Sequence, residues 1–267
     1  MTRKALFFDI DGTLVSFQTH EIPTSTLHAL QEAKALGMNI FIATGRPRIL
    51  INNLDALQKN DLIDGYITMN GAYCFIGEKV LYKSAIPADD THTLTHFCAE
   101  RQIPCIVVGE NDICACCPDE RINHIFYEHL KVSTPIPNVP VEEAIRHKKV
   151  FQLTPFITVE EEAIIRPHIP HCEIGRWHPD FADVTALGNT KQQGMDVILQ
   201  HFGLDLKDTV AFGDGGNDIS MLQHAGIGIA MGNAQEHVKA AARYVTRTVD
   251  DDGIAHALQA IIKGKWS

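Results

Sequence analysis

The strongest fold signal in the sequence is the run Lys4-Ala5-Leu6-Phe7-Phe8-Asp9-Ile10-Asp11-Gly12-Thr13. Apolar residues that end abruptly in two carboxylates and a glycine are typical of a buried parallel strand, whose carboxyl end lies at the edge where open α/β sheets bind ligands. Residues two apart on an extended chain point the same way, so we expect Asp9 and Asp11 to converge on one site while Ile10 faces the core. The run therefore predicts a ligand site at the first strand.

Two unpaired carboxylates this close to each other repel. The repulsion is tolerable if a cation lies between them or if one of them holds a proton, and both conditions suit metal-assisted phosphoryl chemistry. The simpler interpretation is an acidic strand end that caps a turn. This stretch alone does not separate the two interpretations, because short motifs also occur by chance.

The chain after this strand alternates apolar runs with amphipathic segments. Residues 39–43 and 66–69 predict buried strands, and a helix is expected through residues 49–57. Residues 72–84 are typical of a hairpin. Strands that alternate with helices indicate right-handed parallel crossovers.

The middle third of the chain has a different pattern, with strands of mixed character, amphipathic helices and the proline-rich link 135–140. The alternation of buried strands with amphipathic helices returns after Gly188, with a helix over 190–202 and a buried strand at 209–212. The sequence therefore predicts an α/β fold, in which both chain ends build one doubly wound parallel sheet and an α+β module is inserted as a lid. The expected domains are 1–83 and 187–267 for the core and 84–186 for the insertion.

The composition limits the classes of partner. A formal net charge of −10 works against a nucleic-acid or anionic-membrane surface, which needs clustered Lys and Arg. No stretch approaches the ~20 apolar residues that span a bilayer, and Asp9 and Asp11 interrupt the apolar run at the N-terminus, so no signal peptide is expected. We expect a cytoplasmic monomer or homodimer with no nucleic-acid or membrane partner.

The seven cysteines are expected to be reduced thiols, because their number is odd and no framework spacing is present. Cys114, Cys116 and Cys117 cluster, and one interpretation is a soft-metal site with His124 or His129 as a further ligand. The alternative is small side chains on a strand, which the lack of a paired Cys-x-x-Cys spacing favours.

Four stretches carry chemistry at predicted strand ends or at a helix start. They are Asp9-Ile10-Asp11-Gly12-Thr13, Thr44-Gly45-Arg46, Lys191, and Gly213-Asp214-Gly215-Gly216-Asn217-Asp218. Together they hold a nucleophile, an acid, a hydroxyl, an ammonium and further carboxylates, which is the equipment for moving a phosphoryl group. The sequence contains no Walker loop, and its first strand–helix turn lacks Gly-x-Gly-x-x-Gly, so ATP and NAD binding are not favoured.

These four stretches, in this order, resemble the four motifs of the haloacid dehalogenase (HAD) superfamily. The large module between the second and third is similar to the cap of its Cof-type sugar phosphatases, and the resemblance covers the whole chain. It implies a HAD-like Rossmannoid core, a Mg²⁺ cofactor and an enzyme of the phosphoric monoester hydrolase class. The implied substrates are small phosphomonoesters, with hexose and pentose phosphates favoured.

The resemblance also implies catalytic roles. Asp9 is implied as the nucleophile that becomes an aspartyl-phosphate, and Asp11 as the residue that protonates the leaving oxygen and later takes a proton from water. Mg²⁺ would be held by the Asp9 side chain, the Asp11 backbone carbonyl and Asp214.

Further motif residues are implied to bind the phosphoryl group. These are the side chains of Thr44, Lys191 and Asn217 and the backbone N–H groups of Ile10 and Gly45. Asp218 is expected to orient Lys191 or the metal waters. Each has a simpler interpretation when taken singly, such as helix capping by Thr44 or an N-terminal helix charge at Asp218.

The sequence of the predicted lid gives fewer indications of function than the four motifs do. The candidates there for binding a sugar are Arg176, Trp177, His178 and Asp180, because an aromatic face with polar neighbours suits a polyol. An ordinary turn between two strands is the alternative. Arg46 and Asn70, on loops of the core, are further candidates.

Several alternatives remain open. A phosphatase of a flavin precursor or of pyridoxal phosphate, or a phosphomutase, could use the same core. A signalling module phosphorylated on aspartate also pairs acids with a Thr and a Lys, although the roughly hundred-residue insertion would have no purpose in one. A non-catalytic sugar-phosphate sensor would be expected to lack Asp9 or Asp11, and both are present. The expected partner is a small phosphorylated metabolite.

Overall fold

The computed structural model of the chain describes residues 4–146 and 148–266. The chain forms two compact units. The core unit comprises the chain through Thr44, Asn53–Tyr82 and the chain from Thr190, and the inserted unit comprises Gly45–Asn52 and Lys83–Asn189. Among the helices of the described ranges, none is both long enough and apolar enough to cross a lipid bilayer.

The secondary structure alternates strands and helices along most of the chain. The strands are β1 (Ala5–Phe8), β2 (Asn39–Ala43), β3 (Gly65–Thr68), β4 (Tyr73–Ile76), β5 (Lys79–Lys83), β6 (Cys105–Val108), β7 (Ile113–Cys116), β8 (Gln152–Pro155), β9 (Cys172–His178), β10 (Phe181–Ala186), β11 (Thr209–Gly213), β12 (Ile227–Ala230) and β13 (Tyr244–Val245). The α-helices are α1 (Thr24–Ala35), α2 (Asp55–Gln58), α3 (Ala88–Glu100), α4 (Glu120–Ile122), α5 (Val141–Ile145), α6 (Val159–Ile165), α7 (Lys191–Phe202), α8 (Ile219–His224), α9 (Glu236–Ala241) and α10 (Gly253–Ile262). Helix α4 continues into a π-helical segment, Asn123–His129.

The core unit is built on one sheet in the order β13-β12-β11-β1-β2-β3-β4-β5. The strands from β13 to β3 are parallel, and β4 runs antiparallel to β3. The central strands are wholly buried. Their continuous apolar sequences suit this position, because both faces of the sheet are covered. Strand β1 lies between β2 and β11, so the residues that follow these three strands meet at one edge of the sheet.

Helix α7 begins at Lys191 and is fixed at its start by capping and by packing. The Thr190 hydroxyl accepts a hydrogen bond from the Gln193 N–H at 3.1 Å, which satisfies one of the first free amides of the helix. Further along, Met195 and Ile198 are fully buried in the core cluster that also contains residues of β1 and β2. Burial of each such side chain contributes about 1.5–3 kcal/mol. The helix start is therefore a firm support for a functional side chain.

The inserted unit holds a second sheet in the order β7-β6-β8-β10-β9, in which the neighbouring strands are antiparallel. The rings of Phe156 and Phe181 lie 5.6 Å apart and form part of its apolar core. Polar side chains are nevertheless buried on the two adjacent strands β8 and β10, at Gln152, Thr154 and Asp183. Burial of polar groups inside a sheet is costly unless they are hydrogen bonded to one another.

The predicted fold class is confirmed, because both chain ends build a doubly wound, mainly parallel sheet and an α+β unit is inserted between them. The predicted single helix through residues 49–57 is wrong. It is broken into a 3₁₀ turn, Arg48–Leu50, and the short helix α2, because Ile51 takes an extended conformation (φ −85°, ψ 92°). Asn52-Asn53 follow, and asparagine favours turns over helix interiors.

Candidate active site

The candidate site lies at the carboxyl edge of the core sheet, where β1 and β11 end side by side. Asp9 follows β1, and its backbone N–H donates to the Phe212 carbonyl at 3.1 Å, so the two strands are still paired where the acidic residues begin. Asp9 is only 7% exposed. Gly12 takes a left-handed conformation (φ +82°), which turns the chain away from the sheet after the second carboxylate.

Lys191 is the positive charge of this site. Its side chain is fully buried, and Nζ lies 2.5 Å from Asp9 Oδ1 and 2.6 Å from Asp218 Oδ1. Burial alone would lower the pKa of Lys191, but the two carboxylates outweigh burial and raise that pKa above its ordinary value. The ammonium is therefore a fixed charge at neutral pH, positioned by the first turn of α7.

Asp218 holds the loop that follows β11. Its Oδ2 accepts hydrogen bonds from the backbone N–H of Asp214 at 2.9 Å and of Gly215 at 2.8 Å. Its Oδ1 accepts from Lys191. Because both oxygens are engaged by donors of the chain itself, Asp218 is suited to orient its neighbours.

The Asp214 carboxylate is held by two side chains from outside the loop that follows β11. Its Oδ1 accepts a hydrogen bond from the Thr13 hydroxyl at 2.9 Å, and its Oδ2 accepts one from Asn233 Nδ2 at 3.2 Å. The same Asn233 amide donates to the Gly12 carbonyl at 2.8 Å. Burial, followed by the charge of Asp218, raises the pKa of Asp214 to about 7.

The residues present fit a divalent cation. Among the described residues, Asp9, Asp214 and Asp218 form the group of three possible metal ligands, with one oxygen of each within 4.8 Å of the others. Lys191 supplies one positive charge beside these three carboxylates, so negative charge is in excess when all three are ionised. Burial, and then the charge of Asp218, raise the pKa of Asp9 well above its usual range. A bound cation would favour the ionised carboxylates, and carboxylate oxygens are the ligands that Mg²⁺ prefers.

Asp11 lies just beyond this group. It is half-buried, and its backbone bridges to Val15. Its side chain does not belong to the converging set of three, so the predicted metal contact would have to come from its backbone carbonyl. The neighbouring Ile10 side chain is fully buried, so only its backbone is available to a ligand.

Thr44, Asn70 and Asn217 join three loops of the core unit. The Thr44 carbonyl accepts a hydrogen bond from the Asn70 N–H at 3.1 Å. The Asn70 Oδ1 accepts another from Asn217 Nδ2 at 2.9 Å. Asn70 itself has a positive φ of 52°, an uncommon conformation for a residue with a side chain. The loops after β2, β3 and β11 are thus tied together at the sheet edge.

The predicted residues of the lid lie in the inserted unit. Arg176 donates hydrogen bonds to the carbonyls of Ile157, Pro179 and Phe181 at 3.0–3.1 Å. It also pairs with Glu162 at 3.0 Å. These contacts give the guanidinium a role in holding the turn between β9 and β10.

The other three residues of that run differ in their surroundings. Trp177 Nε1 donates a hydrogen bond to Asp183 Oδ2 at 3.0 Å. The His178 ring stacks on Phe181 with 5.0 Å between centroids, and burial lowers the pKa of His178. Asp180 is exposed.

Gly45 and Arg46 belong to the inserted unit, although Thr44 before them belongs to the core unit. The Arg46 guanidinium is buried and donates hydrogen bonds to the Leu50 carbonyl at 2.9 Å and to the Leu130 carbonyl at 3.3 Å. Gly45 and Arg46 line a small cavity of this unit.

The cysteine cluster has the features of a sheet interior. Cys114 and Cys116 are buried on β7. Burial raises the pKa of Cys116 to about 12 and also raises the pKa of Cys114 and of Cys117. Thiols of raised pKa are protonated at neutral pH and are poor metal ligands and nucleophiles. These observations favour the strand interpretation over the soft-metal one.

The sequence patterns assign no role to Thr13 or Asn233, yet both donate hydrogen bonds to Asp214. Thr13 could have been found from its place in the first motif. Asn233 comes three residues after β12, so the only available signal is a polar residue behind a buried parallel strand.

Gly12→Ala is expected to destabilise the protein, because the new Cβ would meet the Asp214 carboxylate and lie 2.8 Å from the Phe17 ring. Gly37→Ala is the matched control, since Gly37 has nearly the same φ (+81°) and open space around it. We expect the control to cost about 1 kcal/mol in free energy of unfolding and Gly12→Ala about 1–3 kcal/mol more. Denaturant unfolding measures both, and equal losses would contradict the close approach.

Comparison with known proteins finds relatives along the whole chain. A family model described as haloacid dehalogenase-like hydrolase matches residues 6–258. The solved structure of the HAD subclass IIB sugar phosphatase BT4131 is 60% identical, with a TM-score of 0.94 over 97% of this chain and 98% of that chain. YkrA of Bacillus subtilis, which is named as a phosphatase, is 33% identical over 98% of both sequences. The 5-amino-6-(5-phospho-D-ribitylamino)uracil phosphatase YitU, also of Bacillus subtilis, is 27% identical over 94% of both.

Proposed function

Because the chain belongs to the haloacid dehalogenase-like hydrolase family and is a phosphatase of that family, we propose that it hydrolyses hexose or pentose phosphates through a phosphorylated Asp9. The observation that carries the proposal is the arrangement of the Asp9 carboxylate. Lys191 binds Oδ1, while Oδ2 accepts no hydrogen bond from the described residues. One oxygen is therefore held in place and the other is left for attack on a phosphorus atom.

The reaction has two steps. In the first, Asp9 Oδ2 forms a bond to phosphorus as the bond from phosphorus to the substrate oxygen breaks, and Asp11 gives that oxygen a proton. In the second, a water molecule loses its proton to Asp11 and attacks the phosphorus, which releases inorganic phosphate and restores the Asp9 carboxylate. One difficult displacement is thus divided into two.

Charge stabilisation comes from the residues around Asp9. The Lys191 ammonium and the Asn217 amide would contact the phosphoryl oxygens, with Thr44 and the backbone N–H groups of Ile10 and Gly45 as further donors. Asp218 keeps Lys191 in position through the 2.6 Å contact. Preorganised donors of this kind need no rearrangement when charge develops in the transition state.

Asp9, Asp214 and the Asp11 carbonyl would hold Mg²⁺, with Thr13 and Asn233 fixing the orientation of Asp214. When bound, the ion supplies positive charge that neutralises the phosphoryl oxygens. The raised pKa of Asp9 supports the proposal, because a buried nucleophile of this kind needs a cation to remain ionised.

Asp214→Asn is expected to raise the Mg²⁺ concentration for half-maximal activity by about 10- to 100-fold, since one charged ligand is lost. Asp196→Asn is the matched control, because Asp196 is more than half exposed and pairs with His224. The measurement is activity against Mg²⁺ concentration, with the Mg²⁺-dependent rise in unfolding temperature as a second readout. Full activity in chelator, or unchanged Mg²⁺ dependence in Asp214→Asn, would rule out the proposed metal site.

The substrate class is tested by steady-state phosphate release from a panel. It contains hexose and pentose phosphates, a ribitylaminouracil phosphate, pyridoxal phosphate, nucleotides and phenyl phosphate. We expect the largest kcat/KM among the sugar phosphates. A larger value for the ribitylaminouracil phosphate would assign the flavin-precursor function that YitU carries by name.

Two further outcomes separate the remaining alternatives. A phosphomutase would return the phosphoryl group to its substrate, so isomeric sugar phosphate would accumulate instead of free phosphate. A signalling module would keep the acyl-phosphate for minutes without turnover. Release of phosphate within seconds from one substrate excludes both.

A further inference from the structure

Two histidines lie one turn apart on the outer face of helix α3, in the inserted unit. His92 and His96 are both exposed, and their rings stack with 5.9 Å between centroids and 11° between planes. The opposite face of the helix, which includes Leu94 and Cys98, is buried. Side chains four positions apart in an α-helix lie one above the other, so the two imidazoles can reach the same ligand.

Glu142 brings a carboxylate to the same place. It lies on helix α5, which packs against α3, and its Oε1 is 3.3 Å from His96 Nε2. The side chains of His96 and Glu142 are 49% and 66% exposed, and exposed ion pairs contribute little to folding. The contact is therefore more informative about what could bind between the two atoms than about the stability of the unit.

The separation of these two atoms suits a tetrahedral metal ion. Nitrogen and oxygen ligands lie about 2.0–2.2 Å from Zn²⁺, and tetrahedral angles then place two ligand atoms about 3.3–3.6 Å apart. The distance from His96 Nε2 to Glu142 Oε1 lies in this range. His92 would join as a third ligand by turning its exposed ring, which moves no buried group. Two histidines four positions apart on one helix are also the zinc ligands of His-Glu-x-x-His helices.

The donor set differs from that of the candidate active site. Carboxylates alone suit Mg²⁺, whereas imidazole nitrogens suit Zn²⁺ and Cu²⁺. We infer that His92, His96 and Glu142 form a second metal site, which binds an imidazole-preferring divalent ion such as Zn²⁺ and links α5 to α3. All three residues belong to the inserted unit. The inference goes beyond the proposed function and does not depend on it.

The affinity is tested by calorimetric titration with Zn²⁺ at saturating Mg²⁺. We expect one Zn²⁺ per chain, with binding weakened about tenfold or more in His92→Gln, in His96→Gln and in Glu142→Gln. The matched controls are Glu143→Gln, next to Glu142 on the same helix, and His237→Gln. His237 is exposed on α9 and has no histidine four positions before or after it. Equal binding in the native chain and the first three variants would show an ion pair only and would overturn the inference.

Cu²⁺ in place of Zn²⁺ identifies the ligand atoms, since imidazole nitrogens split the electron paramagnetic resonance signal of Cu²⁺ and oxygen ligands do not. The native chain with one equivalent of Cu²⁺ should show two coupled nitrogens, and His92→Gln should show one. A spectrum with oxygen ligands only would place the ion at a carboxylate group. Two coupled nitrogens in His92→Gln as well would place it at other histidines, and either spectrum overturns the inference.

A thermal measurement keeps the inference separate from the proposed function. Zn²⁺ should raise the unfolding temperature of the native chain, because it binds the folded state. The double variant His92→Gln, His96→Gln should lose this rise, yet release phosphate in Zn²⁺-free buffer at rates within about twofold of native. An unchanged Zn²⁺ response in the double variant would sink the second metal site alone. A response that depends on the two histidines, in a chain that releases no phosphate, would sink the phosphatase mechanism alone.

Discussion

Asp9→Asn is expected to abolish phosphate release, with kcat lower than that of the native chain by about 10⁴-fold or more. The amide cannot form the acyl-phosphate bond, and no other carboxylate of the described site has a comparable unengaged oxygen next to Lys191. Asp218 has both oxygens bound to donors of the chain. The measurement is steady-state phosphate release with phenyl phosphate and with the best sugar phosphate at saturating Mg²⁺.

The same variant is expected to remain folded. The raised pKa of Asp9 means that folding favours its protonated form, so the ionised carboxylate lowers the stability of the metal-free protein as the pH rises. Asparagine removes that charge and keeps an oxygen for Lys191. In chelator, the unfolding temperature of the variant should therefore equal or exceed that of the native chain. The matched control is the exposed Asp55, since Asp55→Asn should leave both activity and unfolding temperature unchanged. Residual activity above about 1% of native would contradict the nucleophile assignment.

Lys191→Met is expected to remove activity and also to lower the free energy of unfolding by about 3–5 kcal/mol. Methionine fills similar space, but Asp9 and Asp218 would be left buried without their cation. A much smaller loss is expected from Lys34→Met, which serves as the control. Its ion pair with Asp64 is equally short, at 2.5 Å, but the Lys34 side chain is 26% exposed, so the loss should be within about 1 kcal/mol.

A double-mutant cycle tests the reason for that loss. In the Asp9→Asn background, Lys191→Met leaves one uncompensated carboxylate fewer, so its cost should fall by about 1–2 kcal/mol. Denaturant unfolding in the presence of chelator gives all four free energies. Additive costs would show that Lys191 and Asp9 do not stabilise each other in the folded chain, and that Lys191 acts through Asp218 and packing instead.

The parallel core could be predicted because its signal is local. Strand β1 and strand β11 are continuous apolar runs, which suit burial on both faces of a sheet, and each ends in a polar motif that marks the carboxyl edge. The helix expected through residues 49–57 failed for a reason that is not local. Its apolar spacing fits a helix, but Gly45–Asn52 pack within the inserted unit, and that packing overrides the periodic pattern.

The site could be predicted only where a motif follows a strand. The structure brings Asp9, Asp214, Asp218 and Lys191 together as the motifs suggested, while their catalytic roles remain proposals. Asn233 could not have been found in this way. It lies 19 positions after Asp214 in the chain, and only the parallel pairing of β11 with β12 makes the two neighbours.

The short segment Gly45–Asn52 has a consequence for protein engineering. Asn52 Nδ2 donates hydrogen bonds to the Lys131 carbonyl and to the Ser133 hydroxyl, and the Ile49 carbonyl accepts one from Thr134. A chimera that exchanged Lys83–Asn189 alone for the matching part of a relative would therefore leave Gly45–Asn52 without these hydrogen-bond partners. A graft should transfer Gly45–Asn52 and Lys83–Asn189 together, or redesign the contacts between these two segments.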